Sequence, residues 1–263
     1  MKRIDKQAVP NFLQEFADRH PYVVGKHREI WDELRNQGSY QAEIVDRLLD
    51  DQGHLCAYCE NSIFRRNGAG GIQDIAIEHF HPKSSTQDNH PWALDWNNLF
   101  AVCLGGSNIH VHDPDDRFGV EDDEGVRRKE LTCDKAKGEE ILDGKILNPL
   151  SIPNSPSLFK VKRSSGMLEA DENNCLALGV SKDEVTASIE SLNLNARRLC
   201  RARSKTLDEI SKMLVKLQER YGLAEAAEKI AIIRFRKTDG KLFPFFTACR
   251  SYLGNSAEKI ISK

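Results

Sequence analysis

The chain has 263 residues and a mass of 29.7 kDa, enough for one large domain or two modest ones. With 40% hydrophobic and 30% charged residues it is neither disordered nor fibrous in composition. No apolar run approaches the ~18 residues of a transmembrane helix, and the opening residues MKRIDKQAVPNFLQEF lack the apolar stretch of a secretory signal. The net charge of −2 conceals an asymmetry: residues 1–150 carry 18 Lys/Arg against 27 Asp/Glu, and residues 151–263 carry 20 against 13. The second part, at +7, is therefore the better suited to phosphate groups.

In chain order, residues from His27 to about Asp51 read as helix. Ile30 and Leu34 share a face, Gly38-Ser39 interrupts, and Ile44, Val45, Leu48 and Leu49 form a second stripe. Gly53 is expected to end that helix. Residues Asn67 to Gly71 predict a turn, and Ile75 and Ile77 alternate with Ala76 and Glu78 as in a short strand. Asp113 to Glu124 holds seven acids and one arginine and reads as an exposed loop. Pro149, Pro153 and Pro156 punctuate 148–158, where a boundary between segments 1–150 and 151–263 is expected. Beyond it the pattern turns mainly helical. Ser181 and Glu184 fit a capping box, a long helix runs from Ala196 to about Arg220, and further helices are expected near 223–236 and 242–252.

Three segments carry chemistry. In Cys56-Ala57-Tyr58-Cys59, two thiolates two residues apart can chelate zinc. A redox dithiol has the same form, but the βαβ context of one is missing. Seven cysteines, kept reduced in a cytoplasmic chain, make metal the first reading. Cys103 and Cys133 are the best candidates to close the site, with Cys103 as a small buried hydrophobe, or His110 or His112 as a replacement ligand, left open. In Glu78-His79 the carboxylate suits a hard divalent cation and the imidazole can take a proton from water. In Cys133-Asp134-Lys135-Ala136-Lys137-Gly138 a thiolate is followed by an oxygen ligand and two cations. Lys83, Lys135 and Lys137, and the cluster Arg197, Arg198, Arg201 and Arg203, are candidates for nucleic-acid contact; an acidic protein partner suits the arginine cluster equally.

Together these segments resemble the HNH endonuclease family, with matches at Cys56, Cys59, His79, Pro82, Asn98, Leu99, Cys103, Cys133, Lys137 and Gly138 over about residues 55–140. More narrowly, CAYCE at 56–60, EHFHPK at 78–83, WNNLF at 96–100, CLGG at 103–106, CDKAKG at 133–138 and LNPL at 147–150 look like the PtuB-like effectors of Septu and retron anti-phage systems. Leu192-Asn193-Leu194-Asn195 extends the likeness over most of the chain. The resemblance implies an α+β, mainly helical fold: a zinc-stapled ββα-metal core, N-terminal helices and a helical C-terminal region. It implies His79 as general base, Glu78 and Asp134 as ligands of Mg²⁺ or Mn²⁺, Asn98 as the residue that orients His79, and structural zinc on Cys56, Cys59, Cys103 and Cys133. His81 is the next candidate for the base. Partners implied are a PtuA-like ABC-type ATPase, a DNA substrate (or host tRNA in a retron complex), and a retron reverse transcriptase with its msDNA.

The chain departs from the pattern in three places. Glu78 stands for the usual Asp, Asp134 for Asn or His, and 29 residues separate Cys103 from Cys133 without the second cysteine of a CxxC. The fourth zinc ligand is therefore inferred. GxxxxGK[ST] is absent from the sequence, so ATP sensing must come from a partner. A non-catalytic zinc-binding interaction module is the alternative class; it needs neither His79 nor a second metal.

Overall fold

The computed structural model describes residues 1–21, 23–64, 75–85, 89–107 and 130–262. The turn expected at Asn67 to Gly71, the acidic stretch Asp113 to Glu124, and His110 and His112 lie outside the described residues. The fold is mixed and mainly helical. Three helices lead: α1 (Asn11–Arg19), α2 (His27–Asn36) and α3 (Tyr40–Gln52). The expected break at Gly38-Ser39 separates the second from the third, and Gly53 takes φ +63° to end α3, a conformation that suits glycine. The first helix was not anticipated from the sequence, although Leu13 and Phe16 bury one side of it.

Strands β1 (Ile75–His79) and β2 (Leu99–Cys103) follow and pair antiparallel, with Glu78 opposite Phe100 and His79 opposite Leu99. The far edge of β2 is closed by a side chain. Gln52 is fully buried; its Oε1 accepts from the Ala101 amide at 2.8 Å, and its Nε2 donates to the Ala101 carbonyl at 2.7 Å. One helical turn, α4 (Asp134–Lys137), completes the first half.

The second half, expected to be mainly helical, opens with a short hairpin, β3 (Phe159–Val161) and β4 (Leu168–Ala170), which the sequence reading did not include. Helices α5 (Glu172–Leu178), α6 (Lys182–Ser191), α7 (Arg197–Tyr221), α8 (Leu223–Phe235), α9 (Phe246–Leu253) and α10 (Asn255–Ile261) follow. Ser181 caps α6 as expected, but on the Asp183 amide at 3.2 Å. The helix expected from 242 starts at Phe246 because the preceding backbone is engaged elsewhere: the Leu242 amide donates to the Gly53 carbonyl and the Phe245 amide to the Glu60 carbonyl. No helix among the described residues is long and apolar enough to cross a membrane.

The halves share one buried apolar cluster, and hydrogen bonds cross residue 150. The Ile4 amide donates to the Pro149 carbonyl, the Cys133 amide to the Leu192 carbonyl, and the Leu147 amide to Ser188 Oγ. Glu60, next to the CxxC turn, is 3% exposed. Its carboxylate accepts from the Thr247 amide at 2.7 Å and from Thr247 Oγ1, and lies 3.5 Å from the Met1 ammonium. Removing one partner of a buried ionic network leaves the rest uncompensated, so Glu60→Ala is expected to lower stability by about 3–5 kcal/mol. Urea unfolding at constant metal concentration measures it.

Candidate functional site

The CxxC turn packs on β2: the Ala57 amide donates to the Ala101 carbonyl, and the Glu60 amide closes the turn on the Cys56 carbonyl. This brings Cys56 and Cys59 to Cys103 at the end of β2 and Cys133 at the start of α4. The sulfurs lie 3.8 Å (Cys56–Cys133), 3.6 Å (Cys59–Cys103) and 3.7 Å (Cys103–Cys133) apart, and all four fall within 4.8 Å of one another. Sulfurs ~2.3 Å from a tetrahedral zinc stand about 3.8 Å apart, whereas a disulfide needs about 2.05 Å. The four are free thiols in an arrangement that can hold a zinc ion. Hydrogen bonds from Cys133, Cys56 and Cys59 hold the Cys103 thiol well below its ordinary range.

Two backbone features allow this closure. Cys133 takes φ +58° and turns its carbonyl to the Ala136 and Lys137 amides. Gly105 bonds the Thr132 amide through its carbonyl, and a Cβ there would stand 2.3 Å from the Thr132 oxygen. The Gly-Gly after Cys103 thus permits the close approach that brings in Cys133.

Asp134, the next residue, faces a cavity of about 380 Å³ that is also lined by Glu78, His79, Lys83, Lys135 and Lys137. Glu78 is 5% exposed. Its Oε1 accepts from Tyr58 Oη at 3.2 Å and pairs with Lys137 Nζ at 2.8 Å. Burial, then a hydrogen bond shared with Asp134, push its carboxyl up to about 8, with Lys137 opposing. His79 is 6% exposed and stands edge-on to Trp31. Burial, aided by Lys83, pushes its imidazole down to about 3, so the ring is neutral. Nε2 lies 3.2 Å from the Ala93 carbonyl, which requires a donor there. The lone pair is thereby assigned to Nδ1.

Asn98 is buried and bonds backbone, not the His79 ring. Its Oδ1 accepts from the His81 amide at 2.7 Å, and its Nδ2 donates to the His81 and Trp92 carbonyls. His81 is held by Asp143 at 3.0 Å and stacks on Trp92. Lys6, unmarked in the sequence, bonds the Trp96 and Leu99 carbonyls and lies over the Trp96 ring, which pins the turn that carries Asn98. Tyr58 was likewise missed as a partner of Glu78; its place inside the CxxC was the available signal.

The sequence-predicted cations divide. Lys83 is half-buried at the cavity, Lys135 is exposed and lies 3.3 Å from Asp134, and Arg197 and Arg201 are exposed. Three differ from the expectation of phosphate contact. Lys137 is 3% exposed and committed to Glu78 and the His79 carbonyl. Arg198 turns inward onto Thr132 Oγ1, and Arg203 onto the Leu194 carbonyl. A larger cavity, of about 590 Å³, lies between the N-terminal segment and residues 90–97. Its histidines are already paired, His20 with Glu33 and His90 with Asp95, so the smaller, convergent site is the candidate.

No family model matches the chain. Among curated proteins it is similar to the "Retron Ec83 putative HNH endonuclease" of Escherichia coli, at 35% identity over 226 residues, 79% of each chain.

Two outcomes test the site. Elemental analysis is expected to find zinc bound to the purified chain and lost in Cys133→Ser, because a tetrahedral thiolate site does not tolerate a missing ligand. Tyr58→Phe removes one bond from Glu78 but leaves Lys137 in place. It is expected to lower stability by about 1 kcal/mol in urea unfolding while zinc content stays unchanged.

Proposed function

The chain belongs to the retron HNH endonuclease family, and on that premise we propose that it hydrolyses phosphodiester bonds of nucleic acid at the cavity between β1 and α4. The observation that carries this reading is a neutral imidazole beside two carboxyl groups in one cavity. His79 Nε2 is turned to the Ala93 carbonyl, and Glu78 and Asp134 line the same space.

In this reading Glu78 and Asp134 hold Mg²⁺ or Mn²⁺. Two carboxylates are the hard oxygen donors such ions take. The bound ion supplies charge stabilisation for the phosphoryl and leaving 3′ oxygens. His79 Nδ1 takes the proton of the attacking water. Asn98 acts as a positioning residue, holding the backbone just after His79 through His81. Lys137 keeps Glu78 in place, and Lys83 and Lys135 face the phosphate. The four cysteines hold a structural zinc that places Asp134.

DNA is the first substrate of this reading. Host tRNA is the second, and the retron name of the relative is the observation that favours it. The same name supports a defence assembly with a reverse transcriptase and its msDNA. An ABC-type ATPase of the PtuA kind would supply the nucleotide sensing for which the chain has no motif.

Plasmid DNA and total tRNA, incubated side by side with Mg²⁺, with and without the ATPase, test the proposal. His79→Ala is expected to slow cleavage by about 10²–10⁴-fold. Wild-type activity in that variant excludes His79 as the base. Cleavage of neither polymer under any condition returns the chain to a zinc-binding interaction module.

A further inference from the structure

Helix α7 begins against the candidate site and runs far beyond it. The Cys133 amide bonds the Leu192 carbonyl, and Arg198 in the first turn of α7 reaches Thr132, two residues from Asp134. The helix is 25 residues long in all, about 37 Å. Its buried side carries Leu199, Leu207 and Ile210. The opposite side presents Arg197, Arg201, Lys205, Lys212, Lys216 and Arg220, all exposed. At 100° per residue these six fall within an arc of about 140°. Among the described residues none of the six forms an ion pair. Asp208, Glu209 and Glu219 share the arc, Glu209 lying 3.9 Å from Arg234, so the face remains basic, six cations to three acids, but not uniformly so.

We infer that this face of α7 is a track for the backbone of a double-helical nucleic acid whose neighbouring phosphate lies in the Glu78–His79–Asp134 cavity. The inference deepens the nuclease reading and rests on it. Three observations favour this occupant. The cavity sits in the half with net −9, which does not by itself draw in a polyanion, whereas the half that carries α7 is at +7. The cations repeat every four residues over Arg197 to Lys205 and again over Lys212 to Arg220, so each group forms a row along the helix. From Arg197 to Lys216 the row is about 29 Å long, the length of eight to nine base-pair steps. A track of this kind adds affinity for long substrates without reading sequence.

The test separates binding from cleavage. In the full chain carrying His79→Ala, a DNA duplex and an RNA duplex of two helical turns are titrated over a range of salt. The titration is repeated with Lys212→Gln/Lys216→Gln added; both sites are distal to the cavity and exposed. The slope of log K against log salt is expected to shrink by about 2, because each lost phosphate contact removes ~0.9. Affinity at physiological salt is expected to fall about tenfold, with an unchanged melting temperature. An unchanged slope overturns the inference and makes the face an ordinary solvated one. An unchanged slope with lost binding to polyglutamate, used as an acidic-polypeptide probe, overturns it in favour of a protein partner. If duplexes bind with the expected salt response but the wild type cleaves nothing, the nuclease reading fails and the track stands.

Discussion

Four sulfurs within 4.8 Å of one another are the constraint from which the candidate site is built. They come from three places: a turn after α3, the end of β2 and the entrance to α4. Thiols this close can satisfy one another only in part, and a metal ion that took all four as ligands would resolve the conflict. The consequences spread outward. Asp134 is fixed because it follows Cys133. Glu78 is fixed through Tyr58, which lies between the first two cysteines. Glu60, which follows the second, anchors the start of α9.

The candidate site depends on a second layer that is almost entirely backbone. The Ala93 carbonyl sets the His79 tautomer, and the His79 carbonyl receives Lys137. Asn98 ties the chain after β1 to the segment before β2, and Lys6 holds the turn in which Asn98 sits. None of these contacts supplies a reacting atom. They hold one imidazole and two carboxylates in a common cavity whose walls keep Glu78 and His79 almost free of water.

Much of this could be read from the residues. The spacing of Cys56 and Cys59 marks a possible metal site, and Glu78, His79 and Asp134, singled out as local motifs, line one cavity in the structure. Cys103 and Cys133 are the expected remaining sulfurs, and the structure brings them to the CxxC pair. The helix pattern around Gly38 and Gly53 was visible because both faces and stops have local signals. What the sequence hid was the direction of long cations. Lys137, Arg198 and Arg203 look like their exposed neighbours in any local window; they turn inward because Glu78, Thr132 and the Leu194 carbonyl wait there. The late start of α9 was hidden for the same reason, since its preceding amides bond Gly53 and Glu60, nearly 190 residues away in the chain. The β3–β4 hairpin, only three residues per strand, is too short to impose a period.

The small sheet of the first half has an unusual pair of borders. A two-stranded sheet leaves both outer edges with unpaired amides and carbonyls, which invite a strand from another molecule. Here the edge of β2 is occupied at Ala101 by the Gln52 amide and the Ala57 backbone, and the last carbonyl of β1 is taken by Lys137. Side chains thus do what further strands do in larger sheets. The sheet is closed to templated growth at these positions, which protects a small, strand-poor core from edge-to-edge aggregation.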